Sequence, residues 1–312
     1  SNLIVNAPEL SGKYKLIDTI DRGGYATVYK AVNLNASHTN EQIVAIKRVQ
    51  CVMLRCNYTD QPWIEVEILR KFRNTAYFPC LHEVLVDKTS GACSMVMHYF
   101  EHQPFTEYNH LLTEPETVEY IHVLLQCLQH LAEHGFIHRD IKPNNFLFDY
   151  HRKQYLLIDF GLCQSISLIA RQCHREHQKY KRYANKVASN GISRPLSMLN
   201  QNKSISKLNS NTNKNKNTQG RKRKGSDVFT GGSATEKTLP VCPRDGTRGF
   251  RAPEVILASL QQDSKLDVYN VGLILACIVL GCTSIFTANS DYEQLAQFVS
   301  IYGLRTVQST AN

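Results

Sequence analysis

His138-Arg139-Asp140-Ile141-Lys142-Pro143-Asn144-Asn145 is the stretch on which the reading turns. It sets a carboxylate, an ammonium and a carboxamide close together in a polar loop. Each suits one task in moving a phosphoryl group. Asp140 can accept the proton of an acceptor hydroxyl, Lys142 can hold a terminal phosphate, and Asn145 can bind a divalent cation. So many fixed chemical identities in so short a run are rare by chance, and an ordinary polar loop is the poorer account.

Three other stretches supply what such chemistry needs. Ile158-Asp159-Phe160-Gly161 ends a β-rich run, and Asp159 suits a hard cation, which takes carboxylate oxygen. Val44-Ala45-Ile46-Lys47 puts a lysine in an apolar strand, unusual unless the charge is paired. The competing account is an edge-strand lysine facing solvent. Glu65, one turn before Ile68 and Leu69, is the preferred partner, with Glu67 the alternative. Ile20 to Val28 reads as a strand, a turn and a strand with paired glycines, Gly23 and Gly24. Backbone N–H groups there can approach phosphate oxygens, although alone the stretch is equally a hairpin turn.

The 312 residues can form one large domain or two lobes around a sizeable core, and 42% hydrophobic with 20% charged residues is ordinary globular composition. The formal charge of +9 suggests a nucleic-acid footprint, but its distribution does not. Residues 163–240 hold 16 Lys or Arg against three acidic residues, which leaves 20 against 24 elsewhere. The folded part is mildly acidic, so we expect no direct nucleic-acid contact. No basic-then-apolar leader opens the sequence, and the longest apolar run, Val271 to Cys282, is too short to span a bilayer, so no membrane association is expected. Ten scattered cysteines without a Cys-x-x-Cys pair read as reduced thiols of the cytosol or nucleus.

Strands are expected at 14–20, 27–32, 43–49, 81–87 and 93–99, with a helix over 63–72. A long helix follows over 115–134, with Thr113 and Glu116 at capping-box spacing, Ile121, Leu124, Leu125, Leu128 and Leu131 as its apolar stripe, and Gly135 at its end. Two short strands are expected at 145–148 and 155–158, and an all-round apolar helix over 266–280. The character changes from Cys163, and residues 189–237, rich in Ser, Asn, Thr, Lys and Gly, cannot bury enough surface to offset their ordering entropy.

Gly246-Thr247-Arg248-Gly249-Phe250-Arg251-Ala252-Pro253-Glu254 completes the set, and the chain resembles the eukaryotic protein kinase family from about residue 14 to its last residue, apart from 163–240. The resemblance implies an α+β, bilobal protein kinase fold. Its β-rich N-lobe and hinge would occupy 1–101. The α-helical C-lobe would begin at 102–162 and resume at 241–312, around a long, basic, largely disordered insert over 163–240. Asp140, Lys142 and Asn145 would be catalytic, and Asn145 and Asp159 would hold Mg2+. ATP would lie against Ile20, Gly23, Gly24, Val28, Ala45, Lys47, Glu65, Met97, His98, Phe100, Leu147 and Asp159. Met97 would be the gatekeeper, and His98 and Phe100 would offer backbone groups to adenine. Lys142, two residues after Asp140, resembles the serine/threonine kinases rather than the tyrosine kinases.

Val96 to His102, Pro143 to Phe148, Gly249 to Glu254 and Leu295-Ala296-Gln297 look like the cell division cycle seven kinases. That family implies a nuclear enzyme promoting initiation of DNA replication, an obligate activating regulatory subunit, and the minichromosome maintenance helicase as substrate. It also carries a long insert at the same place, further helices beyond Asn312, and an arginine that pairs with Glu254. Arg244, Arg248 and Arg251 lie near the expected peptide-docking loop and suit acid or phosphate after the acceptor. Arg221-Lys222-Arg223-Lys224 is a candidate nuclear localisation signal or a solvated charge run. Cys163, Cys173, His174, His177 and Cys242 could ligate zinc, but the tight pairing of a zinc site is missing.

Some positions depart from the pattern. Asp21 and Ala26 stand where a full glycine loop has glycine, and Tyr269 and Asn270 replace the usual Trp and Ser after Asp267, which can still brace the catalytic loop. A pseudokinase scaffold is the competing class, opposed by the joint presence of Lys47, Glu65, Asp140, Lys142, Asn145 and Asp159. Another regulated serine/threonine kinase of the same fold is the other alternative.

Overall fold

The computed structural model describes residues 6–24, 26–36, 42–50, 61–169, 171, 178, 182, 245–259 and 262–310. It contains a large unit, Ser1–Cys173 with Cys242–Asn312, and a second unit, His174–Val241. Only Gln178 and Arg182 of the second are described, both helical. The candidate localisation run and the segment 189–237 lie outside the described residues.

The large unit opens with β1 (Tyr14–Arg22), β2 (Ala26–Asn33) and β3 (Ile43–Val49), then α1 (Gln61–Lys71), β4 (Leu81–Val86) and β5 (Cys93–His98). These strands form an antiparallel sheet in the order β1-β2-β3-β5-β4. In β3 the side chains alternate: Val44, Ile46 and Arg48 are buried, while Ala45, Lys47 and Val49 are half-buried on the other face. Val44 and Ile46 meet Leu10, Tyr29, Ala31 and Val96 in a compact cluster. Arg48 is tolerated there because Glu9, in a single turn at Pro8–Leu10, accepts from its Nε at 2.7 Å and from the Ser94 hydroxyl at 2.8 Å.

After α2 (Phe105–Tyr108) comes α3 (Glu114–Glu133), then β6 (Phe136–Ile137), β7 (Phe146–Asp149), β8 (Gln154–Leu157) and β9 (Gln164–Ser165). The strands pair as β7 with β8 and β6 with β9. The helices α4 (Pro253–Ile256), α5 (Lys265–Leu280), α6 (Asp291–Tyr302) and α7 (Leu304–Ser309) complete the unit. One apolar core joins the two halves, from Ile68, Leu69 and Met95 through Leu124, Phe146 and Phe160 to Ile274 and Phe298. Each such side chain contributes roughly 1.5–3 kcal/mol on burial.

Two expectations are corrected. The buried stripe of α3 is Tyr120, Val123, Leu124, Cys127, Leu128 and Leu131, while Leu125 is exposed. A reading weighted to leucine passed over Tyr120, which is completely buried. The insert also does not begin at Cys163. Cys163 is buried, β9 pairs with β6, and Ile169 packs with Ile137, Ala252, Val255 and Leu266. The spacing of Ile166 and Ile169 gives that turn an apolar side. No helix among the described residues is long and apolar enough to cross a membrane. None of the six described cysteines is joined in a disulfide.

The start of α3 provides a test of the local reading. The Thr113 backbone N–H and hydroxyl donate to the Glu116 carboxylate at 2.9 and 2.8 Å, and Lys153 donates to it at 2.6 Å. Lys153 first, then Thr113, holds the Glu116 carboxyl down at about 2, below its ordinary 4.5. Its contribution is therefore fully present above the ordinary carboxylate range and is lost as pH falls toward 2. Thr113→Ala should cost roughly 0.5–2 kcal/mol in urea unfolding at pH 7. At pH 3 the difference between variant and parent should be smaller.

Candidate active site

Lys47 lies on the half-buried face of β3, Glu65 faces it from α1, and Asp159 follows β8. The Lys47 ammonium donates to Glu65 Oε1 at 2.7 Å, to Glu65 Oε2 at 2.8 Å and to Asp159 Oδ1 at 2.6 Å. Glu67 is exposed, so the choice between the two glutamates falls to Glu65. Burial alone would depress the Lys47 pKa, but the two carboxylates outweigh it and hold the ammonium charged well above its usual range. Burial raises the Glu65 carboxyl, against the pull of Lys47. Asp159 is desolvated too, yet Lys47 carries it down to about 2. Asp159 sits in the left-handed region (φ 64°), which Asp tolerates better than most residues, and Phe160 is buried beside Phe78 and His138. A Cβ at Gly161 would press on the Asp159 carboxylate at 3.3 Å and lie in ordinary contact with the Lys47 ammonium at 3.5 Å.

The catalytic loop hangs from α5. Asp267 is buried, and its carboxylate accepts the His138 N–H at 2.7 Å and the Arg139 N–H at 2.8 Å. Burial raises the Asp267 pKa, opposed by His138 and Arg139. The bracing role expected of Asp267 is therefore realised despite Tyr269 and Asn270. Asp140 then has both oxygens engaged. Oδ1 accepts from the Thr247 N–H and hydroxyl, each at 2.7 Å. Oδ2 accepts from Lys142 at 2.9 Å and from the Asn145 amide at 3.1 Å. Lys142 also donates to the Thr247 hydroxyl at 2.7 Å. Thr247, quoted above only as part of a motif, is thus the residue whose role sequence reasoning missed. Nothing local marks it, because its partner lies 107 residues away.

The remaining predicted residues fall as follows. Gly23 and Gly24 form the exposed β1–β2 turn, where no protein atom crowds an added Cβ closer than 3.6 Å, so the chain's own packing does not demand glycine. Val28 lies opposite Lys47, and Ala45 opposite Met97, in the sheet register. Ile20 is exposed on β1, and Leu147 is half-buried on β7. His98 gives its N–H to Cys80 at 3.2 Å, so that group is not free for a ligand, while the Phe100 carbonyl meets the His102 ring at 3.1 Å. Asp21 is exposed and turns its carboxylate onto the Arg22 N–H at 2.8 Å. Arg251 is committed to Asp291 at 2.8 Å and the Gly246 carbonyl at 2.9 Å, so it is not the open docking cation expected of it. Arg244 lies outside the described residues; Arg248 is exposed and donates to the Asn289 carbonyl at 2.8 Å.

The donor set fits a hard cation held partly by phosphate. Asn145 spends its amide N–H groups on Asp140, which leaves its carbonyl oxygen as the available ligand atom. The Asp159 side chain is 42% exposed. No group of three His, Cys, Asp or Glu among the described residues forms a metal cage, as a cation completed by phosphate and water requires none. For the suggested zinc ligands, Cys163 is a buried thiol whose pKa burial drives up, and the other four lie outside the described residues. No cation among the described residues pairs with Glu254, whose carboxyl burial raises.

A lysine locked to a helix glutamate, a carboxylate at the end of β8, and an aspartate shared by lysine, asparagine and threonine together define a phosphotransferase centre of the kinase type. The protein kinase domain family matches residues 14–184, more than half of the chain, and the chain belongs to that family. Its members generally use ATP with a divalent metal. Within it, the chain is 28% identical to the cell cycle serine/threonine-protein kinase hsk1 of Schizosaccharomyces pombe, over 97% of this chain and 58% of that protein. It is 26% identical to a probable cell division control protein 7 homolog of Encephalitozoon cuniculi, over 96% of this chain and 73% of the relative. It is 23% identical to the human cell division cycle 7-related protein kinase, over 97% and 68%. The chain thus spans little more than half of the fission yeast relative.

Lys47→Met tests the charge arrangement without an activity assay. It leaves Glu65 and Asp159 side by side with no cation, and breaking a buried pair costs about 3–5 kcal/mol. Burial raises the Glu65 pKa above its unfolded value, so unfavourable ionisation of that carboxyl grows as pH rises. Urea melts should show the variant's deficit larger at pH 8 than at pH 5. A deficit independent of pH would contradict the assignment.

Proposed function

We propose that this chain transfers the γ-phosphoryl group of ATP to serine or threonine hydroxyls of proteins, with Mg2+ as the metal. The observation that carries the reading is Lys142 bridging the Asp140 carboxylate at 2.9 Å and the Thr247 hydroxyl at 2.7 Å. Asp140 takes the acceptor's proton, and its orientation is set in advance by Thr247 and Asn145. Lys142 stays within reach of the transferred group as negative charge gathers on its oxygens. Lys47, fixed by Glu65, contacts the inner phosphates, and the β1–β2 turn with Gly23 and Gly24 covers them. Asp159 and the Asn145 carbonyl hold the cation, which neutralises phosphate charge when bound. Ile20, Val28, Ala45, Met97, the Phe100 backbone and Leu147 enclose the base.

The cell-cycle and cell-division names of the relatives support a narrower reading. In it the chain is a nuclear kinase that works with an activating subunit and promotes DNA replication by phosphorylating the replicative helicase. Arg248 favours substrates with acid or phosphate after the acceptor.

The test is a phosphotransfer assay on the chain alone and with candidate activating subunits, using peptides with acidic or basic residues after the acceptor. Asp140→Asn should lower kcat by about 10³-fold or more, since removing base and orientation together costs at least that. Transfer that survives the substitution would refute the role of Asp140. Equal rates with and without a subunit would refute the partner, and a preference for basic peptides would refute the role of Arg248.

A further inference from the structure

The backbone from Gly246 to Arg251 is wedged between two other segments. A Cβ at Gly246 would lie 2.8 Å from the Arg139 carbonyl oxygen, and one at Gly249 would lie 2.8 Å from the Phe286 carbonyl oxygen. Both glycines have positive φ, 102° and 90°. Only glycine fits at either point, and the loop has little freedom to slide.

What holds it from below is α6. Gln294 is completely buried there. Its carbonyl oxygen accepts the Gly249 N–H at 3.1 Å, and its amide donates to the Arg251 carbonyl at 3.2 Å. A carboxamide carries one acceptor and a donor group, so a single Gln294 satisfies the loop as a neighbouring strand would. One turn earlier, Asp291 takes the Arg251 guanidinium at 2.8 Å, while Arg251 Nε returns to the Gly246 carbonyl at 2.9 Å. The ties therefore run from the first turn of α6 through residues 251, 249 and 246 to Thr247, which donates twice to Asp140.

We infer that Gln294 is a positioning residue of the reaction: it seats the 246–251 loop so that Thr247 holds the Asp140 carboxylate in its working orientation. This rests on the phosphotransfer reading above. Gln294 touches neither Asp140 nor the Lys47, Glu65 and Asp159 group, so its influence on rate passes through Thr247. A near-isosteric side chain that removes both bonds, Gln294→Met, should lower kcat about tenfold and leave KM for ATP within twofold.

A double-mutant cycle with Thr247→Ala isolates the route. If Gln294 acts through Thr247, Gln294→Met should have little further effect on kcat in the Thr247→Ala background. Independent, multiplying losses would overturn the inference. Tyr292→Ala, at an 84% exposed position on the same helix, should leave kcat unchanged. A second measurement needs no catalysis. Amide hydrogen exchange of 246–251 and of 138–141 should accelerate in Gln294→Met, while β1–β5 keep their protection. Unchanged exchange at 246–251 would overturn the clamp. A parent inactive both alone and with candidate activating subunits, together with accelerated exchange in Gln294→Met, would overturn the phosphotransfer reading and leave the clamp standing.

Discussion

The architecture of the site depends on one buried carboxylate whose oxygens accept backbone N–H groups. Asp267 accepts the N–H groups of two consecutive residues, His138 and Arg139. Consecutive N–H groups converge on one acceptor only if the backbone between them departs from extended geometry, and Arg139 has a φ of 71°. Such a conformation costs a non-glycine residue of order 1–3 kcal/mol. Two hydrogen bonds to an ionised carboxylate, each about 1.5–3 kcal/mol, offset it. Exchanging Asp267 for an apolar residue would lose both bonds and leave two buried donors unmet. The loop would then relax away from the geometry that presents Asp140.

From that anchor the ties run outward in two directions. Toward the sheet, the His138 ring bonds the Ile158 carbonyl at 3.1 Å, and the Ile158 N–H donates to the Asn145 backbone carbonyl at 2.9 Å. The catalytic loop is therefore tied directly to the residue that precedes Asp159. Toward the helices, Asp140 is joined through Thr247 to the loop that α6 seats. The two halves of the chemistry are held differently. The Lys47, Glu65 and Asp159 group is a charge cluster, one ammonium between two carboxylates, and responds to any change in local charge. Asp140 is held by a network of shorter-range hydrogen bonds, which responds to backbone position. A perturbation of α1 should reach the first most directly and one of α6 the second, with His138, Ile158 and Asn145 as the hydrogen-bonded link between them.

Much of this was legible in the sequence, and the limits follow from what local patterns encode. The alternation of Val44, Ala45, Ile46 and Lys47 reports two faces of a strand, and β3 has the expected bounds. Thr113 and Glu116 meet within one helical turn, so spacing alone locates the start of α3. Three motifs name Lys47, Asp140, Asn145 and Asp159 because their identities are constrained within a few residues. Thr247, Gln294 and Glu9 are different. Each is a polar side chain whose burial or engagement makes sense only through a partner 39 or more residues away. Sequence reading assigns such residues to the surface, since burying an unpaired polar group is unfavourable. The misplaced edge of the insert has a related cause. Ile166 and Ile169 give too short a periodic run to outweigh the polar composition that follows. Polar residues that the fold buries are thus both the least visible in sequence and the ones that fix relative positions at the site, because hydrogen bonds carry direction and apolar contacts do not.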